Sequence, residues 1–366
     1  MKSFAVVLSL LVLLSGARAQ TGQGRNDPEK AGLAGRVKSV EVWRVEYVLG
    51  SAGSVEARRA LFRRTTYDEA GNRDEEVTYP PGGSSYSRSV YTYDAAGRNT
   101  GYEEYSTIAD KGSGKPRRHV YKLDDAGRTS EYTVYESDGS AGSRFTYDYD
   151  AAGNKTEEVF YSWQGMRMGR LAYEYDGRGR LLTQTSYDGD DVVGWRNVNV
   201  YGAEGDRTES AQYQGGTLRY RFFYKYDAKG RVKEVETREF NALPDLRPSH
   251  APEPGRVVYA YDDEKHAKDV ITYDEGGALK KRFLHASDGR GNDAGVMELN
   301  ADGSPKVKEV HWYENRVLRR TLRGVPDAEF VYDTRGNWTR KTLVIKPAGA
   351  GRPEPYWAEH REIVYY

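Results

Sequence analysis

Chemistry in this chain would have to come from ionisable residues that recur in columns. Asp stands at 68, 94, 124, 150, 176, 227, 262, 288 and 333, an array of carboxylates of the type that serve as general acids and bases. Six residues before successive repeat sites stand Arg88, Arg118, Arg144, Arg170, Arg196, Arg221, Arg256 and Arg282, and Lys308 continues the line. If every second strand carries one guanidinium, neighbours lie ~9.6 Å apart, twice the strand separation. Forked hydrogen bonds from such a line could grip a polyanionic glycan or lipid headgroups. Glu75, Glu131, Glu157, Glu209 and Glu234 form a third column. Among the six His, His285 and His311 occupy equivalent places in neighbouring repeats. Two strands of separation leaves them too far apart to share one metal directly.

Each column also has a structural explanation. An Asp that the same turn demands in every period is a turn residue before it is a base. The Arg line can pair across strands with acids, for which Glu76 and Glu158 lie two residues from the paired position. The Glu column suits Tyr hydroxyls or Arg better than a glycosidase pair. His-Glu-x-x-His, Gly-x-Ser-x-Gly and phosphate-loop patterns do not occur. No catalytic residue, metal ligand or cofactor site is therefore assigned, and the Arg column is the candidate binding feature.

The elements that position these columns follow from a repeat. Tyr-Asp-x-x-Gly followed by Arg or Asn occurs at Tyr67-Asp68 to Gly71, Tyr93-Asp94 to Gly97, Tyr149-Asp150 to Gly153, Tyr175-Asp176 to Gly179, Tyr226-Asp227 to Gly230 and Tyr332-Asp333 to Gly336. Weaker copies between them bring the steps to 26, 30, 26, 26, 26, 25, 35, 26, 26 and 19 residues. The Asp accepts from the backbone two residues on, the middle pair takes a type I turn, and Gly adopts the left-handed conformation that reverses the strand. Second turns, such as Pro80-Pro81-Gly82-Gly83, Gln214-Gly215-Gly216 and Asn300-Ala301-Asp302-Gly303, fall between. Each period thus holds two strands, and residues 37–366 give an all-β antiparallel meander of about 24 strands, long enough that one sheet should curl or spiral. Strand parity puts Phe145, Tyr147 and Tyr149, and likewise Leu171, Tyr173 and Tyr175, on a packed face, with the Arg column opposite. Tyr79, Tyr105, Tyr135, Tyr161, Tyr187 and Tyr213 form a further column eight residues after the turn Gly.

With these motifs the chain from about Val37 onward resembles the YD-repeat (RHS-type) family of secreted bacterial proteins. The Gly336-Asn337-Trp338-Thr339 block and the late Arg361-Glu362-Ile363-Val364-Tyr365 resemble the end of short stand-alone members. The resemblance implies a long antiparallel sheet wound into a spiral or shell, which in larger relatives encloses a toxin or serves at a cell surface. The Asp-Pro-x-Gly-Leu block of the large toxin type is lacking here.

Composition narrows the function classes. Lys plus Arg and Asp plus Glu both number 55, which argues against a nucleic-acid partner. There is no Cys, so disulfides, thiolate metal sites and a Cys nucleophile are excluded, while 30 Tyr and 40 Gly suit strands and turns. Residues 1–19 read as a cleavable secretory signal, with Lys2 ahead of a short apolar run and Ala17-Arg18-Ala19 at its end. That run is too short for a permanent span. Residues 20–36 read as a flexible leader. The expectation is a secreted or periplasmic, non-enzymatic interaction or structural scaffold, with a glycan or an envelope protein as partner. The alternatives are a polysaccharide-active enzyme and a shell-like remnant of an RHS toxin system. Two long inserts, Asp110 to Pro116 and Leu243 to His250, mark one rim as the place where a partner would touch.

Overall fold

The fold is built from one turn used many times, and its Asp constructs it. In the computed structural model the N–H of Asp176 donates to the Arg180 carbonyl at 3.0 Å, and the N–H of Gly179 donates to the Asp176 carbonyl at 2.9 Å. Oδ1 of Asp176 accepts from the N–H groups of Arg178 and Arg180, both at 2.9 Å, and Oδ2 accepts from Arg180 Nε at 2.6 Å. Gly179 sits at φ +74°, where a side chain would be strained. Asp94, Asp124 and Asp227 hold Arg98, Arg128 and Arg231 in the same way. This accounts for the Arg that follows the motif Gly. Its guanidinium continues over the next motif's Tyr, at 4.5 Å for Arg128 on Tyr149 and 4.6 Å for Arg180 on Tyr201.

The motif Tyr fastens one hairpin to the preceding one. Tyr175 Oη donates to the Lys155 carbonyl at 2.9 Å, and Tyr93, Tyr149 and Tyr226 donate to the carbonyls of Arg73, Thr129 and Arg207 at 2.8, 2.8 and 2.9 Å. Each bond contributes about 1 kcal/mol net, and the ring packs at a hairpin base where Thr or Val alone could not reach the neighbour. Burial raises these phenols, that of Tyr93 to about 12.

The structure describes residue 27 and residues 31–366, apart from 51–52, 81–85, 107–113, 242–250, 288–292, 315–316 and 348–351. The signal-like residues 1–19, the Pro80–Gly83 turn beyond Pro80 and most of both long inserts lie outside the described residues. Among the described residues there are 23 strands in a single antiparallel sheet, nearly closed into a barrel-like curl, close to the expected all-β meander. Pairing follows chain order from Val37–Gly50 to Asp293–Glu298, and again from Lys308–Glu314 to Glu354–Tyr365. The last strand then pairs with the first, from Val37↔Tyr365 to Glu46↔Trp357. Between Asp293–Glu298 and Lys308–Glu314 the described ladder has the Leu299↔Pro305 bridge. No helix among the described residues is long and apolar enough to cross a membrane.

The buried apolar core gathers where first and last strands meet. Leu33, Val37, Val40, Val42 and Tyr67 form it, and Phe62, Ile363 and Tyr365 pack against it. Residues 31–36, expected as part of the flexible leader, are therefore part of the fold: Leu33 is buried, and Ala34 exchanges hydrogen bonds with the Asn337 side chain at 2.7 and 2.9 Å. Asp27 docks on the first motif turn, its N–H on the Gly71 carbonyl at 3.0 Å and its carboxylate on the Arg73 N–H at 2.8 Å.

Candidate functional site

Most hairpin ends of both kinds carry a one-residue bulge, and this decides which side chains share a face. Tyr149 faces Lys155 while Asp148 faces Glu157, so Thr156 is the extra residue. On the opposite rim Arg167 faces Tyr161 while Gly169 faces Phe160, so Met168 is extra. Each such bulge reverses the parity of the strand that follows it. Glu157 comes onto the face of the Arg column, and Glu158, opposite Leu171, goes to the motif-Tyr face. The pairing of the Arg column with Glu76 and Glu158 is thereby corrected. Glu158 pairs with Lys155 at 2.7 Å, and Glu76 lies 3.6 Å from Arg73.

The acids that do meet the Arg column come mainly from the Glu column. Arg88 binds Glu75, Arg144 Glu131 at 3.3 Å, Arg170 Glu157 at 3.0 Å and Asp191 at 2.8 Å, Arg221 Glu209 at 3.5 Å, Arg256 Glu234 at 3.6 Å and Arg282 Asp269 at 2.5 Å. Arg118 and Arg196 have no ion pair among the described residues. Directly across the hairpin each of these two meets Tyr, Tyr135 and Tyr213. Arg144 and Arg170 likewise face Tyr161 and Tyr187, their guanidinium carbons 4.0 and 3.8 Å from the ring centroids. Arg88, Arg144, Arg170 and Arg256 thus stand between a Glu and a Tyr, and the positive charge of the column is largely met within the sheet. The turn Asp side chains are consumed in the same way: turn hydrogen bonds pull the carboxyls of Asp94, Asp124, Asp150, Asp176 and Asp227 below their ordinary value, Asp176 to about 2 through Arg180 and the backbone.

The motif-Tyr face holds a second constellation. Tyr91, Tyr102, His119, Tyr132, Phe145 and Phe160 follow one another across six successive strands, with centroid separations of 4.1 Å for Tyr102–His119, 5.9 Å for His119–Tyr132 and 4.9 Å for Phe145–Phe160. His119 is buried, with Nδ1 2.7 Å from Tyr132 Oη and Nε2 3.3 Å from Glu104. Burial lowers the His119 pKa, and Glu104 opposes that shift. Tyr132 also lines a cavity of about 420 Å³, together with Tyr121, Thr129, Tyr147, Tyr149 and Lys155. Lys155 Nζ stands 5.3 and 5.0 Å from the Tyr147 and Tyr173 rings.

This group escaped the column reading, although its signal is present. His119 replaces the apolar residue that follows the column Arg in other repeats (Phe145, Leu171, Phe222), and Glu104 stands where Val134 and Phe160 stand. His285, with Asp262 and His266, lines a second recess of about 370 Å³, and the side chain of His311 lies outside the described residues. No group of three metal-binding side chains occurs among the described residues.

No protein-family model and no curated protein matches the chain. Among solved structures it is similar to the crystal structure of TcdB2-TccC3-TEV, at 12% identity and TM-score 0.30 over 81% of this chain and 19% of that one. It is similar also to TcdB2-TccC3-Cdc42, at 12% and 0.31 over 88% and 21%. A porin-like protein from Bacteroides uniformis aligns over 90% of this chain and 98% of its own, at 12% identity and TM-score 0.25. The chain spans about a fifth of the length of the two TcdB2-TccC3 chains.

Proposed function

We propose that this chain is an exported, non-enzymatic scaffold of the YD-repeat type, a rigid curled sheet that presents a binding surface to a glycan or an envelope component. The observation that supports this reading most directly is the commitment of its recurring ionisable groups to structure. The turn Asp carboxylates hold backbone N–H groups together with a guanidinium or an Asn amide, and six of the eight column Arg stand in ion pairs. A catalytic base must be available to substrate, and these carboxylates are not. The apolar leader at residues 1–19 supports export.

A polysaccharide-active enzyme is the second reading, favoured by the Glu104–His119–Tyr132 chain that ends at the Tyr-lined cavity. Reducing-end release from a panel of soluble polysaccharides separates the two. The scaffold reading expects none above background. Turnover that disappears in His119→Ala or Glu104→Gln would establish the enzyme instead.

A further inference from the structure

We infer that the cavity on the motif-Tyr face is a carbohydrate subsite, and that it takes two neighbouring units of an extended, β-1,4-linked glycan. This rests on the scaffold reading and deepens it. The cavity is bounded by Tyr121 on the strand Arg117–Leu123 and Tyr147 on the strand Ala141–Tyr149, with Tyr132 on the strand between. At about 420 Å³ it falls in the size range of ligand sites.

Three features define the ligand class. The walls are phenol rings, which pair with the apolar faces and C–H edges of a sugar ring. Tyr121 and Tyr147 hydroxyls have no hydrogen-bond partner among the described residues, whereas Tyr132, Tyr149 and Tyr173 are engaged with His119, the Thr129 carbonyl and Glu158. Both residues line the cavity, and neither hydroxyl is a sealed, buried orphan. A hydroxyl open to the cavity can both donate to and accept from a ligand rich in hydroxyls. Burial also raises both phenols, so they remain neutral donors through the physiological range.

The charged groups at the margin balance one another. Lys155 is tied to Glu158 at 2.7 Å and lies over two Tyr rings, which leaves no uncompensated cation to select an acidic polymer. A neutral sugar fits this environment better than a uronate or a phosphate.

Linkage follows from spacing. Tyr91, Tyr121, Tyr147 and Tyr173 stand at the same repeat position, three residues before the turn Asp, on every second strand. Equivalent side chains in that column are ~9.6 Å apart, close to the length of two pyranose units in an extended β-1,4 chain. A helical α-1,4 chain cannot keep register with it. Asn199 interrupts the column, its amide turned to the Leu181 carbonyl at 3.0 Å, before Tyr224 and Tyr259 resume it.

Calorimetric titration of the whole chain with cellotetraose, chitotetraose, laminaritetraose and maltotetraose tests the proposal. Cellotetraose or chitotetraose should bind, and maltotetraose should bind at least tenfold more weakly. Tyr121→Ala and Tyr147→Ala should each weaken binding about tenfold, the value of one aromatic contact. Tyr121→Phe and Tyr147→Phe retain the ring and report the hydroxyl alone, with a smaller loss. Arg144→Gln, on the opposite face, should bind as wild type, and thermal midpoints establish that every variant is folded. Absence of binding to all four oligosaccharides at millimolar concentration, or Ala variants that bind as wild type, overturns the site and leaves the scaffold reading standing. Polysaccharide turnover lost in His119→Ala overturns the scaffold reading and leaves the subsite to be judged by the titrations.

Discussion

The N–H of Tyr366 donates to the carbonyl of Arg36 at 3.0 Å, the bond that Asp94 makes to Arg98 and Asp176 to Arg180, each at 3.0 Å, in intact turns. The correspondence extends further. Gly35 sits at φ +90°, like Gly179 at +74° and Gly205 at +98°. Tyr365 faces Val37, with a one-residue bulge after it, as Tyr93 faces Asn99. Arg335 lies over the Tyr365 ring at 3.7 Å, as Arg180 lies over Tyr201. Leu33-Ala34-Gly35-Arg36 and Tyr365-Tyr366 are therefore the two halves of one repeat turn, contributed by segments some 330 residues apart. Asn337 takes over part of the missing Asp's task by accepting from the Ala34 N–H.

Closure should accordingly depend on the split turn. Gly35→Ala places a Cβ 2.7 Å from Arg335 Nη1 at a positive φ and should cost about 1–3 kcal/mol. Denaturant titration checks this against Gly165→Ala, which has the same kind of φ and open space around it. A variant with Tyr365 and Tyr366 removed should also have a lower midpoint. A circular permutant that joins Tyr366 to Leu33 through a short linker should retain the wild-type circular dichroism spectrum.

Acid should weaken the sheet through its turns. Asp94, Asp124, Asp150, Asp176 and Asp227 all lie below their ordinary value, because the folded turn binds the carboxylate. A depressed folded pKa gives stability that is present above the unfolded value near 4 and is lost as pH falls toward 2. The thermal midpoint should drop over that window, and Asp176→Asn should flatten its share of the drop. A midpoint independent of pH between 5 and 2 would contradict the carboxylate account.

Alkali acts through the tyrosines with the opposite sign. Burial raises Tyr93, Tyr149, Tyr175 and Tyr226, Tyr93 to about 12. Their stabilisation is complete below the unfolded value near 10 and disappears as pH climbs through the folded values. Phenolate absorbance from these tyrosines should appear cooperatively with loss of the sheet signal, above the unfolded value.

The Arg column should prove individually replaceable. Arg144 and Arg170 are partly exposed, at 38% and 22% of the side chain, so each ion pair contributes on the order of 1 kcal/mol or less. Arg170→Gln should cost more than Arg144→Gln, since Arg170 holds two acids and lies closer to its Tyr. Equilibrium unfolding of both variants, with Glu131→Gln and Glu157→Gln for double-mutant cycles, measures the difference.

What the sequence determined is local. Tyr-Asp-x-x-Gly-Arg fixes its own turn because the Asp carboxylate, the Gly backbone and the Arg side chain all act within five residues, so turn, strand number and all-β class could be read in order along the chain. Face assignment held within a strand and failed across a turn: the bulge at Thr156 moves Glu157 to the Arg face and Glu158 to the Tyr face, and an extra residue in a ladder leaves no mark on composition. His119, Glu104 and Tyr132 come from three successive strands, and only their stacking brings them to one place. Tertiary structure alone decided the closure. Whether the last strand meets the first depends on twist summed over all the intervening strands, and the Tyr366–Arg36 bond that seals it joins two half-turns, neither of which forms a turn by itself.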